Sequence, residues 1–327
     1  MNHKILVTGA SGFIGRALLP ILQDKGFSVR ATCRTETSLE GRAAADHIEW
    51  IGFDLVDAET DYGRLLNGVD AVVHLAGRAH VTTGHGDATN DCRTVNIDGT
   101  EKLARAAAKE GVDRFLFLSS AKVYGEGGEL YKNNKIQRLT ENDAPSAQDI
   151  YAKGKLEAED AIYNVCRAGT MHYVILRPPL VFGPHVRANF LQLLHVVHRG
   201  YPLPFASVNN LRSFIYVGNL CHAILACLVK PEAADQLFLV SDSEISTPDL
   251  IRKIAYCMDR KARLFPMPLP LLKMLGKMTG RSNQIARLTG SLVDDSTKIR
   301  QHLQWQPPYS FDEGLKATID WYKARRV

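Results

Sequence analysis

The sequence predicts an α/β protein, with a doubly wound parallel sheet followed by a smaller, mixed α/β C-terminal lobe. Three observations predict it. Short, wholly apolar runs such as Ile5-Leu6-Val7 and Ala71-Val72-Val73 recur through the first half, as strands buried on both faces require. Segments with helical apolar spacing separate them, so successive strands should run parallel through right-handed crossovers. Beyond Arg177 the alternation breaks up around prolines at 178, 179, 184, 202, 204, 231, 248, 266, 268 and 270.

Taken in order, Ile5 to Val7 is the first strand, Gly9 to Gly15 a turn, and Phe13 to Lys25 a helix that stops at Gly26. Ser28 to Cys33, His47 to Phe53 and Ala71 to Leu75 are the next three strands. Asp91 to Glu110 reads as a long helix closed by Gly111, and Phe115 to Leu118 as a fifth strand. A helix through Tyr151 and a sixth strand over Tyr173 to Leu176 follow. The expected division is residues 1–177 as the main domain and 178–327 as the second lobe, with late segments such as Phe214 to Val217 returning to the main sheet and a ligand cleft between the lobes.

The totals exclude several classes. At 327 residues, 45% hydrophobic and 23% charged, the chain has the make-up of a globular enzyme. A net charge of +5, with no interleaving of basic and aromatic residues, argues against nucleic acid and suits an anionic small molecule. Six cysteines (33, 92, 166, 221, 227 and 257) show no metal-ligand spacing and read as reduced thiols. Met1 to Lys4 does not resemble a signal peptide, and Leu220 to Val229 is too short to span a bilayer, so a cytoplasmic location is expected. Pro268 to Gly280, rich in Leu, Met and Lys, reads as a helix packed on the second lobe, with a membrane-surface helix as the alternative.

Thr8-Gly9-Ala10-Ser11-Gly12-Phe13-Ile14-Gly15 lies between a strand and a helix, where a dinucleotide's pyrophosphate meets a helix N-terminus. Gly9 suits the tight turn, Gly12 the approach of the pyrophosphate, and Gly15 close helix–strand packing. At the second strand's end Cys33-Arg34 replaces the acid that would bind a ribose 2′-hydroxyl, which favours NADPH over NAD. The alternative is that Arg34 only covers the adenine. Asp54 and Leu55 are candidates to meet that ring, or a helix cap.

Tyr151 and Lys155 stand four residues apart ahead of the strongly helical Leu156 to Ile162, so they should share a face. A lysine ammonium at ~4 Å stabilises a phenolate by about 4 kcal/mol at an effective dielectric near 20. That is roughly three pKa units, which carries tyrosine toward the range of a general base.

With the glycine turn, Leu75-Ala76-Gly77, Asn96, Leu118-Ser119-Ser120, Val123-Tyr124-Gly125 and Tyr151-x-x-x-Lys155 in order, the chain resembles the extended short-chain dehydrogenase/reductases, and within them the UDP-galactose 4-epimerase group of nucleotide-sugar enzymes. The similarity continues through Arg177-Pro178-Pro179, Ala188-Asn189-Phe190, Arg212-Ser213-Phe214-Ile215 and Leu303-Gln304-Trp305. The resemblance implies a Rossmann-type domain binding NAD or NADP, with Phe13, Ile14 and Leu75 to Gly77 as further cofactor contacts. It implies Ser120 on the reacting hydroxyl, Tyr151 as the base and Lys155 on the nicotinamide ribose. Asn189, Arg212 and Arg287 would bind the nucleotide diphosphate of a UDP-sugar, Asn96 would brace the active-site loop, and the enzyme would be a homodimer.

Departures from the family pattern narrow the chemistry. Ala121-Lys122 occupies the place of the dehydratases' Asp-Glu pair, which argues against 4,6-dehydration. Lys122 is read equally as a contact to substrate or cofactor and as a solvated ammonium. Two enzymatic readings stay open: a UDP-hexose 4-epimerase, on a UDP-glucose or UDP-N-acetylglucosamine type of substrate, and an NAD(P)H-dependent 4-ketoreductase of a UDP-4-keto-6-deoxy-N-acetylhexosamine in polysaccharide sugar synthesis. A non-catalytic NAD(P)-binding sensor is the reading outside enzymes.

Overall fold

The structure, a computed structural model, describes residues 3–34, 48–55, 57, 60–77, 94–127, 131–132 and 135–325. The first half alternates as expected: β1 (Lys4–Thr8), α1 (Phe13–Asp24), β2 (Ser28–Cys33), β3 (Ile48–Gly52), α2 (Tyr62–Leu66) and β4 (Ala71–His74). A π-helical turn (Thr94–Asp98) leads into α3 (Gly99–Lys109) and β5 (Arg114–Leu118). A 3₁₀ turn (Ala121–Tyr124), the small hairpin β6 (Tyr131–Lys132) and β7 (Lys135–Ile136), α4 (Ile150–Arg167) and β8 (His172–Arg177) complete it. Of the long helix expected from Asp91, residues 91–93 lie outside the described residues.

Seven strands form one sheet in the order β3-β2-β1-β4-β5-β8, closed by β11 (Gln236–Leu239), and every neighbouring pair is parallel. The order reverses between β1 and β4, which opens a crevice at their C-terminal ends. Leu18, Leu19 and Leu22 of α1 pack on one face with Leu220 and Ile224 of α6 (Val217–Val229). Leu103 and Ala107 of α3 pack on the other with Ala158 and Ile162 of α4. Both faces are therefore covered, which is why the central strands β1, β4 and β5 carry apolar runs.

The second lobe holds β9 (Leu180–Phe182), α5 (Ala188–His198), β10 (Arg212–Tyr216), β12 (Ser243–Ile245) and α7 (Thr247–Cys257). It continues with α8 (Leu269–Met278), α9 (Ser282–Thr289), α10 (Thr297–His302) and α11 (Phe311–Ala324). One expectation is corrected here. The segment through Phe214 does not rejoin the main sheet: β10 pairs parallel to β9 and antiparallel to β12. Both of its backbone edges are thereby used, and Phe214 faces a separate core with Phe182 and Ile245. The strand that returns is β11, which fills the outer edge of β8.

α8 packs on α9 through Leu272 and Gly276, and a Cβ at Gly276 would meet the Ile285 side chain at 2.8 Å. Among the described residues, no helix is long and apolar enough to cross a membrane.

Candidate active site

The crevice begins at Thr8, where β1 turns into Gly9. Gly9 has φ +66°, and a Cβ there would stand 2.8 Å from the backbone nitrogen of Ala76, so only glycine fits the turn against the β4 loop. Gly12 donates its N–H to Gly9 O at 2.9 Å and opens α1. A Cβ on Gly15 would fall 2.5 Å from Ala10 Cα, the close packing the motif predicts. Phe13 and Ile14 are half-buried and pack on the first core.

A buried relay ties this turn to its neighbours. Thr8 Oγ1 lies 2.6 Å from His74 Nδ1, and His74 Nε2 lies 2.9 Å from Thr100 Oγ1. Ala76 N–H also donates to Thr8 Oγ1, at 3.3 Å. Burial, with the Lys155 ammonium adding to it, pushes the His74 pKa down to about 3, so the imidazole is neutral. His74 belongs to a strand run that sequence reading treated as apolar.

Beside the ends of β2 and β3, a cavity of about 300 Å³ is lined by Arg34, Asp54, Asp57, Asp61 and Arg64 with Ile51 and Phe53. Arg34 is exposed at the end of β2. Leu55 takes a different place: it is buried in the core, where a Cβ on Gly99 would touch its side chain at 2.9 Å. On the other side of the crevice Leu75 and Ala76 are half-buried and Gly77 is exposed. A Cβ on Gly77 would stand 3.5 Å from Lys155 Nζ and 3.2 Å from Asn96 Oδ1. Asn96, buried in the π-turn, is also 3.8 Å from where a Cβ on Gly154 of α4 would lie, and so wedges between the cofactor loop and that helix. Glycines at every close approach, one helix N-terminus and Lys155 below Gly77 make a cradle that fits an extended dinucleotide.

Tyr151 and Lys155 stand in the first turns of α4, which Asp149 caps by accepting the Ala152 N–H at 2.7 Å. Lys155 is 5% exposed; its Nζ donates to Leu118 O at 2.7 Å and lies 4.3 Å over the Phe117 ring. Ser120, beyond the end of β5, accepts the Lys122 N–H at 3.2 Å, and among the described residues its own proton is committed to no acceptor. Below these groups Ser119 donates to Glu159, and Arg177 pairs with both Glu159 oxygens and donates to the Tyr124 hydroxyl. Glu159 and Arg177 are both almost fully buried, so this network locks the end of β5 to α4 and β8.

The structure decides the position of Lys122. Its ammonium lies 5.9 Å over the Tyr151 ring and pairs with Asp149 at 2.8 Å and Glu126 at 3.0 Å. Arg287 grips the same Glu126 carboxylate with two bonds, at 2.9 and 2.8 Å. Arg212 donates to the Glu126 carbonyl at 3.3 Å and to Gly290 O at 3.1 Å. Two of the diphosphate candidates thus converge on a glutamate that sequence reading passed over. The only signal for it was the Lys122–Glu126 spacing of four. Burial raises the Glu126 and Asp149 carboxyls, but Arg287 and Lys122 outweigh it and hold both below the usual carboxylate range. Asn189, the third candidate, is exposed in the first turn of α5.

Asp294 was also missed. It is fully buried on a cavity of about 360 Å³ shared with Arg138, Glu244 and Arg300, and among the described residues neither carboxylate oxygen has a hydrogen-bond partner. Burial pushes its pKa up to about 8 against the opposing Arg212 charge. Among the described residues no group of His, Cys, Asp or Glu could hold a metal ion, and the described cysteines form no disulfide.

Residues 5–240 match the NAD dependent epimerase/dehydratase family. A UDP-glucose 4-epimerase of Vibrio cholerae is 36% identical, over 97% of this chain and 95% of its own length. An N-acetyl-alpha-D-glucosaminyl-diphospho-ditrans,octacis-undecaprenol 4-epimerase of Escherichia coli O157:H7 is 27% identical, over 98% and 96%. Among solved structures, UDP-glucuronic acid 4-epimerase from Bacillus cereus in complex with NAD superposes with a TM-score of 0.78 over 98% of this chain and 96% of its own. At 24% identity that likeness speaks to the fold.

Proposed function

Because the chain belongs to the NAD dependent epimerase/dehydratase family, we propose that it is a UDP-hexose 4-epimerase with Tyr151 as its acid–base group. The observation that supports this reading is the anchoring of Lys155 on Leu118 O, two residues before Ser120, and of Lys122, two residues after it, on Asp149, two residues before Tyr151. The two curated relatives described above are both 4-epimerases of sugars that carry a diphosphate.

Gly9, Gly12 and Gly77 would hold NAD, which would supply the acceptor for the C4 hydride and, once reduced, its donor back to the opposite face of the sugar. Ser120 donates its uncommitted proton to the C4 oxygen and orients it. Tyr151 takes the C4 hydroxyl proton and gives it back to the keto oxygen after the sugar ring has turned. Lys155, held under the crevice, orders the nicotinamide ribose, and its charge favours the phenolate. Arg212, Arg287 and Asn189 receive the diphosphate. With Ala121 and Lys122 where a dehydratase has its acid pair, these two positions supply no carboxyl to expel water from C5–C6.

The test is Tyr151→Phe, assayed by interconversion of UDP-glucose and UDP-galactose. Turnover should fall by about 10²–10⁴-fold, with the melting temperature and dinucleotide content unchanged. Retained turnover would remove Tyr151 from the chemistry.

A second reading rests on one observation: Arg34 is exposed in the same cavity as Arg64, a pairing suited to a 2′-phosphate. In that reading NADPH exchanges from solution and Tyr151 acts only as an acid toward a 4-keto-6-deoxy sugar. Mass identification of the dinucleotide released on denaturation separates the two. Stoichiometric NAD(H) supports the epimerase, and an empty protein that binds NADPH supports the reductase.

A further inference from the structure

Helix α8 is built the wrong way round for a helix that serves only the core. Leu272 and Gly276 are its buried positions. Leu271, Met274, Leu275 and Met278, spaced i, i+3, i+4 and i+7, form a stripe on the opposite side, exposed by 41%, 50%, 38% and 75%. That spacing places all four on one face. Lys273 and Lys277, also exposed, flank the stripe.

The charge around this helix is as uneven. Residues 260–281 contain Arg260, Lys261, Arg263, Lys273, Lys277 and Arg281, and no acidic residue. Removing these six from the chain's 40 basic side chains leaves 34 against 35 acidic ones, so the net charge of +5 resides in this one segment. All six are exposed.

From the apolar stripe and the charge together, we infer that α8 docks the protein on an anionic lipid surface. The stripe enters the interface between headgroups and acyl chains, while the lysines and arginines meet the anionic headgroups. A second copy of the chain fits this face poorly, because a symmetric contact would bring six positive charges against six. The inference rests on α8 and its flanks alone and stands apart from the catalytic reading. α9, which carries Arg287 to Glu126, packs directly on α8, so a bound surface would lie one helix away from the substrate groups.

The test is co-sedimentation of the full chain with phosphatidylcholine vesicles, with and without roughly one-third phosphatidylglycerol. The wild type should bind the anionic vesicles at least about tenfold more tightly than the neutral ones, and less tightly as salt rises. Met274→Glu with Met278→Glu should weaken binding by about tenfold or more. Lys273→Glu with Lys277→Glu should weaken it by at least about 25-fold, near fivefold per lysine lost. Unchanged melting temperatures show that both variants fold, as expected for exposed positions. The inference is overturned if the wild type stays in the supernatant, if neutral vesicles bind as well, or if neither variant changes binding. It is also overturned if the wild type is a dimer that ignores vesicles and Met274→Glu with Met278→Glu makes it a monomer.

Discussion

Acidification to pH 5 should destabilise this protein through His74, and the size of the effect follows from its burial. The imidazole is 0% exposed, held between Thr8 and Thr100, with its pKa near 3 against 6.5 for an ordinary histidine. Below pH 6.5 the unfolded chain takes up a proton that the folded chain refuses until about pH 3. Stability from this group is therefore complete above 6.5 and lost as pH falls. At pH 5 the gap is 1.5 pH units at about 1.4 kcal/mol each, or about 2 kcal/mol. With an unfolding entropy near 2.1 cal/mol/K per residue, a chain of this length loses about 3 °C in melting temperature. His74→Gln removes the titration. Melting curves of both proteins at pH 7.5 and pH 5, at constant ionic strength, should show the wild type dropping about 3 °C further than the variant. Parallel drops would refute the reasoning, because the site would then accept a charge despite its burial.

Three other outcomes are expected. Asp294 works in the opposite sense: its folded pKa of about 8 lies above the ordinary 3.8, so its contribution is full in acid and declines as pH rises. Asp294→Asn should gain on the wild type by about 1 kcal/mol per pH unit between pH 5 and 8, read by denaturant unfolding; a constant difference would show that Arg212 already stabilises the carboxylate. Glu159→Gln leaves Arg177 buried without its counter-charge and should cost roughly 3–5 kcal/mol, measured by urea unfolding, and a loss below about 1 kcal/mol would mean the network is not a closed one. Glu126→Gln frees Arg287 and should tighten UDP binding by about fivefold in calorimetry; weaker binding would show that Glu126 holds the arginine in place for the diphosphate.

What could be read from sequence was local. β2 was predicted to the residue although its run is mixed, because Gly26 ends the helix before it and the charged Arg34 follows it. Tyr151 and Lys155 were legible for the same reason: helix periodicity places i and i+4 together without any knowledge of the fold. The groups missed are those whose partners are distant in the chain. His74 meets Thr8 66 residues away, and Arg287 meets Glu126 161 residues away. Neither separation has a period, so no pattern marks them. Lys122 stayed open between ligand contact and solvent because its outcome depends on Asp149, 27 positions on. The pairing of β10 was misread because Phe214 and Ile215 are buried in two different cores, and their hydrophobicity does not say which sheet owns the backbone.

The return of β11 to the main sheet bears on how the chain is made. Synthesis through Arg177 produces six of the seven parallel strands, but the outer N–H and C=O groups of β8 wait for Gln236 to Leu239. Until the ribosome has passed that point, β8 is an open edge with the apolar run Val174 to Leu176 beside it, the kind of template that recruits foreign strands. A fragment ending at the apparent domain boundary should therefore aggregate, and one carried through Leu239 with α6 in place should remain dispersed. The smallest unit that can be expressed from this gene is set by sheet closure and not by the extent of the nucleotide cradle.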